Sequence, residues 1–218
     1  MPVHRRPRGL LQAFSARSLQ RAEQRGRAYF PLKPEPQAAD IGFGLLILSR
    51  MVTASPLTES FIQDSLVRAV QNVCGTMLQQ QAVFVETTAD TSRANFAAQL
   101  HVFGSVGFVG EINGLVYFCL PDNFATHAAG RILGMSANEV AMSGDEVVKD
   151  VVGEITNMTV GGFKNALCDV GFPCKLTLPT IVRGDNLSVA AVKSAARHIF
   201  HFDCDGHRLV VDIQLKTE

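Results

Sequence analysis

"GEITNMTVGGFKNAL" (Gly153–Leu167) decides how this chain is read. Its apolar spacing is helical, yet it holds Asn157 and the adjacent pair Gly161 and Gly162. Interior glycine costs a helix roughly 1 kcal/mol relative to alanine. Projected at 100° per residue, Val148, Val151, Ile155, Met158, Gly162 and Ala166 fall on one side, the expected core face. Asp150, Glu154, Asn157, Gly161 and Lys164 form a continuous stripe on the other. A glycine on the solvent side has no packing reason to exist, but it lets another backbone or side chain approach closely. Gly162, on the core side, would permit close packing onto a sheet.

Outward from this helix the signals repeat. Ser143 and Glu146 form a Ser-x-x-Glu capping box that would open it, and it should run to about Cys168. "CKLTLPTIV" (Cys174–Val182) then reads as a strand, and "AARHIFHFDCDGHRLVVDIQL" (Ala195–Leu215) as a hairpin turning at Asp205-Gly206. The first half has the same order. Ser55-Pro56 is a cap and first helical residue for "LTESFIQDSLVRAVQNVCGTML" (Leu57–Leu78), with Phe61, Leu66, Val70, Val73 and Leu78 on one face. A β-branched stretch, "AVFVETT" (Ala82–Thr88), follows. Then comes a hairpin with Asn113-Gly114 as its turn, and a short helix, Asp122–Gly134, stopped by its glycine. Gly104, Gly107 and Gly110 lie in a strand and read as bulges or close packing. Two helix–strand–hairpin units of nearly equal length imply an internal duplication. The expected class is α+β: a pseudo-twofold repeat whose antiparallel sheet is covered by long helices.

The charge balance is uneven. Residues 1–50 hold nine Lys/Arg and three Asp/Glu, whereas residues 51–218 hold eleven and seventeen. A mildly acidic body without tryptophan and with one tyrosine is a poor nucleic-acid binder. The basic excess is confined to residues 1–50, an extension read as outside the fold, with the domain spanning 51–218. Three readings of the extension stand: a disordered basic tail, a targeting peptide, or translated upstream sequence with Met51 as the working start. The first and third are favoured, because the domain pattern is complete from Met51 onward. The longest apolar run, Ile41–Leu48, is far too short to span a membrane. Five cysteines with no CxxC pair point to buried, reduced thiols and a cytoplasmic protein.

The stretch "GEITNMTVGGFKNALCDVGFPCKLTLPT" (Gly153–Thr180) resembles the CheX branch of the CheC/CheX/FliY phosphatases of bacterial chemotaxis. The resemblance rests on Glu-x-x-Asn (Glu154, Asn157), on Gly161 and Lys164 after it, and on the "LPT" beyond the next strand. "GFVGEINGLVYFCLPDNFATHAAGRILG" (Gly107–Gly134) also fits, and the likeness covers about residues 57–218. It implies a phosphatase acting on the phosphoaspartate of a CheY-like response regulator. Asn157 would orient the water and Glu154 would pair with a receiver lysine. Asp150, Gly161 and Lys164 would line the contact with that partner. It implies no cofactor in this chain, Mg²⁺ in the partner receiver, and a homodimer joined through sheet edges. No nucleic-acid or membrane partner is expected. The positions of the first half aligned with the motif hold Ser65 and Arg68, so one site per chain is implied. The alternative is a receiver-binding or flagellar-switch-like adaptor on the same fold that does not turn over, because a fold does not fix a function.

His198, His201, Cys204 and His207 are spaced by three, which brings metal ligation to mind. Strand alternation sends His198 and Cys204 to one face and His201 to the other, so no metal site is expected.

Overall fold

The computed structural model describes residues 57–88, 94–95 and 100–217. The extension, the boundary at residue 50 and the Ser55-Pro56 cap lie outside the described residues. Helix α1 (Glu59–Val73) is capped by Thr58, whose hydroxyl accepts from the Phe61 N–H. It passes into a π-helical turn (Cys74–Leu78) that ends on Gln79 in the left-handed region. Strand β1 (Ala82–Thr88), the short β2 (Ala94–Asn95) and the hairpin β3 (His101–Gly110)–β4 (Ile112–Pro121) follow. Next come α2 (Asp122–Leu133), α3 (Ala137–Ser143) and the long α4 (Asp145–Asp169). The chain closes with β5 (Cys174–Leu176), β6 (Thr180–Gly184), β7 (Ser188–Val189) and the hairpin β8 (Ala196–Cys204)–β9 (His207–Thr217).

The main sheet is antiparallel, in the order β1-β8-β9-β4-β3-β5, with β6 also paired to β3. That order reads alike from both ends. The β4–β9 ladder is central, a hairpin partner flanks each side, and the strand following a long helix closes each edge. The duplication seen in the sequence is therefore folded with its edges exchanged. β1 of the first half lies on the hairpin of the second, and β5 and β6 lie on the hairpin of the first.

Alternation along the strands divides the sheet into two faces. One is covered by α1 and α4, which bury Leu66, Val70, Ile155, Phe163 and Leu167 against Val106, Phe108, Val116, Phe118, Phe200 and Val211. Phe108 and Phe163 meet edge to face, with ring centroids 5.9 Å apart. The other face carries a smaller cluster around Phe103, Cys119, Val189, Ile199 and Val210. There Arg197 donates to Asp212, with Nε 3.1 Å from both carboxylate oxygens, and also to the Val189 carbonyl.

Several local expectations change. The first hairpin is real, but Asn113-Gly114 is not its turn. The chain reverses around Glu111, and Asn113 Oδ1 accepts from the Gly110 N–H at 3.3 Å. Gly114 is a strand residue opposite Phe108, whose ring fills the space a side chain would need. The capping box opens α3, not α4: Ser136 and Glu139 bond reciprocally, while Ser143 donates to the Glu139 carbonyl. Helix α4 starts instead after Gly144, whose φ of 85° favours glycine. "CKLTLPTIV" is not one strand, because residues 177–179 leave the ladder between β5 and β6. The Asp205-Gly206 turn stands, with φ of 55° and 74° at its two residues.

Candidate functional site

Helix α4 turns Asp150 and Glu154 fully outward, with Asn157, Gly161 and Lys164 half-buried beside them. All five expected positions thus lie on the helix face away from the sheet. Among the described residues, neither Glu154 nor Asn157 has a side-chain hydrogen-bond partner. Lys164 Nζ reaches only Asn165 Oδ1, at 3.5 Å. A Cβ added to Gly161 would meet nothing within 4 Å, so nothing in this chain's own packing requires glycine there.

The core face of α4 is rotated from the projected one. Val152, Thr156, Thr159, Val160, Phe163 and Leu167 are buried, whereas Met158 is 38% exposed and Gly162 and Ala166 are not in the core. The buried side is thus partly β-branched and hydroxyl-bearing. The hydroxyls of Thr156 and Thr159 donate to the Val152 and Ile155 carbonyls at 2.7 and 2.9 Å, which lets them lie inside. Gly162 faces Ala69 of α1, where an added Cβ would lie 3.2 Å from the Ala69 Cβ. It therefore serves helix–helix approach, not packing onto the sheet.

Three contacts fix the helix under its stripe. Thr156 packs into the space left by Gly104 of β3, and Gly153 lies over Ile181 of β6. At the N-terminal end Arg183 of β6 grips two helices at once. Its Nε and Nη2 donate to Asp122 at 2.6 and 2.9 Å, and its Nη1 donates to Asp145 at 2.6 Å. The Asp122 bonds hold the guanidinium pKa above its ordinary value. Sequence spacing could not reveal this clamp, because its members lie 61 and 38 residues apart.

In the first half, Ser65 is buried with an unpartnered hydroxyl, and Arg68 Nε donates to the Asp64 carbonyl. Neither offers a free amide or carboxylate. His198, His201, Cys204 and His207 lie on the second hairpin as expected, and among the described residues no three metal-ligating side chains converge. Burial and the neighbouring Arg208 lower the His201 pKa. No described helix is long and apolar enough to cross a membrane.

Comparison with known proteins agrees with this fold. Residues 102–203 match the family model "Chemotaxis phosphatase CheX", a span that holds the first hairpin and all of α4. The fold is shared with the chemotaxis protein CheX from Desulfovibrio desulfuricans, at 23% identity over 71% of this chain and 99% of that one, with a TM-score of 0.62. CheX from Vibrio vulnificus is similar at 24% identity, covering 71% of this chain and 99% of that one, with a TM-score of 0.61. A CheX–CheY–BeF₃–Mg²⁺ complex from Borrelia burgdorferi matches at 20% identity, 71% and 97% coverage, and a TM-score of 0.57. No curated protein matches the chain. The resemblance read from the sequence is borne out: residues 102–203 match the CheX family model, and the fold is the one found in CheX proteins.

Proposed function

We propose that this protein removes the phosphoryl group from the phosphoaspartate of a CheY-like response regulator. The observation that carries the reading is an unpartnered Glu-x-x-Asn pair, Glu154 and Asn157, on the open face of a helix clamped at its base. The Borrelia relative was crystallised with CheY, BeF₃ and Mg²⁺, which supports the same class of partner here.

An acyl phosphate is already reactive, so the chemistry asks mainly for a water held in line. The Asn157 side-chain carbonyl accepts from that water, and its NH₂ donates to a phosphoryl oxygen. The water oxygen bonds to phosphorus as the bond to the aspartyl oxygen breaks. Inorganic phosphate leaves as H₂PO₄⁻, carrying both of the water's hydrogens, and the receiver's aspartate is regenerated as the carboxylate. Mg²⁺ bound in the receiver would offset the charge on the phosphoryl oxygens. Glu154 pairs with a receiver lysine and sets the depth of docking, while Asp150, Gly161 and Lys164 border the contact. This chain supplies no cofactor. The reading includes a cytoplasmic setting and a homodimer through sheet edges, which sedimentation would test.

The deciding experiment is phosphate release from a phosphorylated receiver, with a parallel binding assay. Asn157→Ala should lower turnover by roughly 10²-fold or more while binding persists. Glu154→Ala should instead weaken binding. Wild-type turnover by folded Asn157→Ala would leave an adaptor as the better reading.

A further inference from the structure

The three residues that interrupt the expected strand, Thr177-Leu178-Pro179, present an apolar side chain in an unusual way. Leu178 is 88% exposed, although the chain on each side of it is paired to β3. A singly exposed leucine is ordinary on a surface. This one sits on a segment that is held. The Thr177 N–H donates to the Gly107 carbonyl at 2.8 Å, and the Gly107 N–H donates back to Thr177 Oγ1 at 2.9 Å. The Thr177 hydroxyl in turn donates to the Leu178 carbonyl at 3.2 Å. Pro179 fixes its own φ and restricts the residue before it. The excursion therefore gives up ladder bonds to display a leucine on rigid backbone.

Its level along α4 follows from shared contacts. On β3, Gly104 receives Thr156, and Phe108 meets Phe163. On the neighbouring edge, Ile181 pairs with Gly104, and Leu176 pairs with Phe108. Leu178 therefore lies at the sheet edge beside the helix segment between Thr156 and Phe163, the segment that holds Asn157. Local breaks in an otherwise consistent pattern concentrate at functional sites.

We propose that Leu178 is an apolar anchor for the partner's receiver domain. This rests on the phosphatase reading above and adds a specificity-determining residue outside the helix. Docking there loses little conformational entropy, because the loop is already ordered, and taking an exposed leucine out of water on docking adds to affinity. The polar stripe would then set the geometry of the reaction, and Leu178 the affinity and choice of receiver.

The test measures KM and kcat for phosphate release, and Kd for the phosphorylated receiver, using the full chain. Leu178→Ser should raise KM and Kd about tenfold and leave kcat within about twofold, the signature of lost uniform binding. Leu178→Met should restore wild-type values, and Val192→Ser, an exposed apolar residue in the loop between β7 and β8, should change neither constant. Unchanged KM and Kd in Leu178→Ser, with weakened binding in Glu154→Ala, would overturn the anchor and leave the phosphatase reading intact. Absence of release by the wild-type protein would overturn that reading, and the anchor with it.

Discussion

Replacing Gly104 with alanine tests the seat of the long helix. A Cβ at this position would lie 2.9 Å from Thr156 Cβ and 3.1 Å from its Cγ2, and it would overlap Oγ1. Thr156 is fully buried and its hydroxyl is committed to the Val152 carbonyl, so the side chain has nowhere to turn. Relief must come from α4 lifting off β3. Overpacking of this kind costs about 1–3 kcal/mol. For a domain of this size, that is a fall in thermal midpoint of about 2–12 °C. Thr156→Ala removes two of the three opposing atoms, so Gly104→Ala should cost roughly half as much in that background. The assay is a double-mutant cycle by urea denaturation, expected to show a coupling of at least about 0.5 kcal/mol. Phosphate release should fall in Gly104→Ala and recover partly in the double variant, because the stripe moves with the helix. Losses that simply add would refute the reasoning.

Ser65→Ala should raise the unfolding free energy by about 1 kcal/mol, since it deletes a buried hydroxyl without a partner. It should also leave phosphate release intact, and loss of release would place the working site in the wrong half. Arg197→Met strands the Asp212 carboxylate, which is 0% exposed, and should cost about 3–5 kcal/mol in urea denaturation. Adding Asp212→Leu should recover most of that loss, and a single-variant cost under about 1 kcal/mol would contradict the account. Burial and Arg208 depress the His201 pKa in the folded state, so the folded protein binds fewer protons there than the unfolded chain does. Stability should accordingly fall as pH drops below about 6.5, and His201→Gln should flatten that slope in thermal melts. An unchanged slope would assign the effect to other groups.

The helix and its stripe were legible because a helical period needs no tertiary context, but the period misplaced the C-terminal part of the core face, where Met158, Gly162 and Ala166 lie outside the core. The duplication was legible for the same reason. What escaped reading depended on neighbours distant in the chain. Thr156 and Thr159 look like flank residues until the Gly104 hollow and their own helix carbonyls are known to receive them. Asn113-Gly114 has the composition of a turn, but the Phe108 ring needs the space over Gly114, and the reversal falls at Glu111. Ser143 and Glu146 have capping-box spacing, yet Ser136 and Glu139 form the box, and Glu146 pairs with Lys149 at 3.1 Å. "CKLTLPTIV" has strand composition throughout, and the one-residue change of register along β3 between Phe108–Leu176 and Ser105–Thr180, which frees its middle, shows only in the folded sheet.

The exchange of edge strands between the halves also governs how the chain reaches this state. Strand β1 pairs Ala82 with Cys204, and the central ladder joins Ile112 to Thr217. During synthesis the first hairpin and β1 leave the ribosome with open ladder edges and no partner. The β3 edge is covered when β5 and β6 emerge, but β1 and the β4 edge stay open until the last hairpin, because β8 and β9 cover them. Loop closure over such separations slows folding and leaves unpaired strand edges in reach of other chains. A fragment ending after α2 lacks β5, β6, β8 and β9 and so leaves β1, β3 and β4 with unpaired edges, open to pairing with other chains.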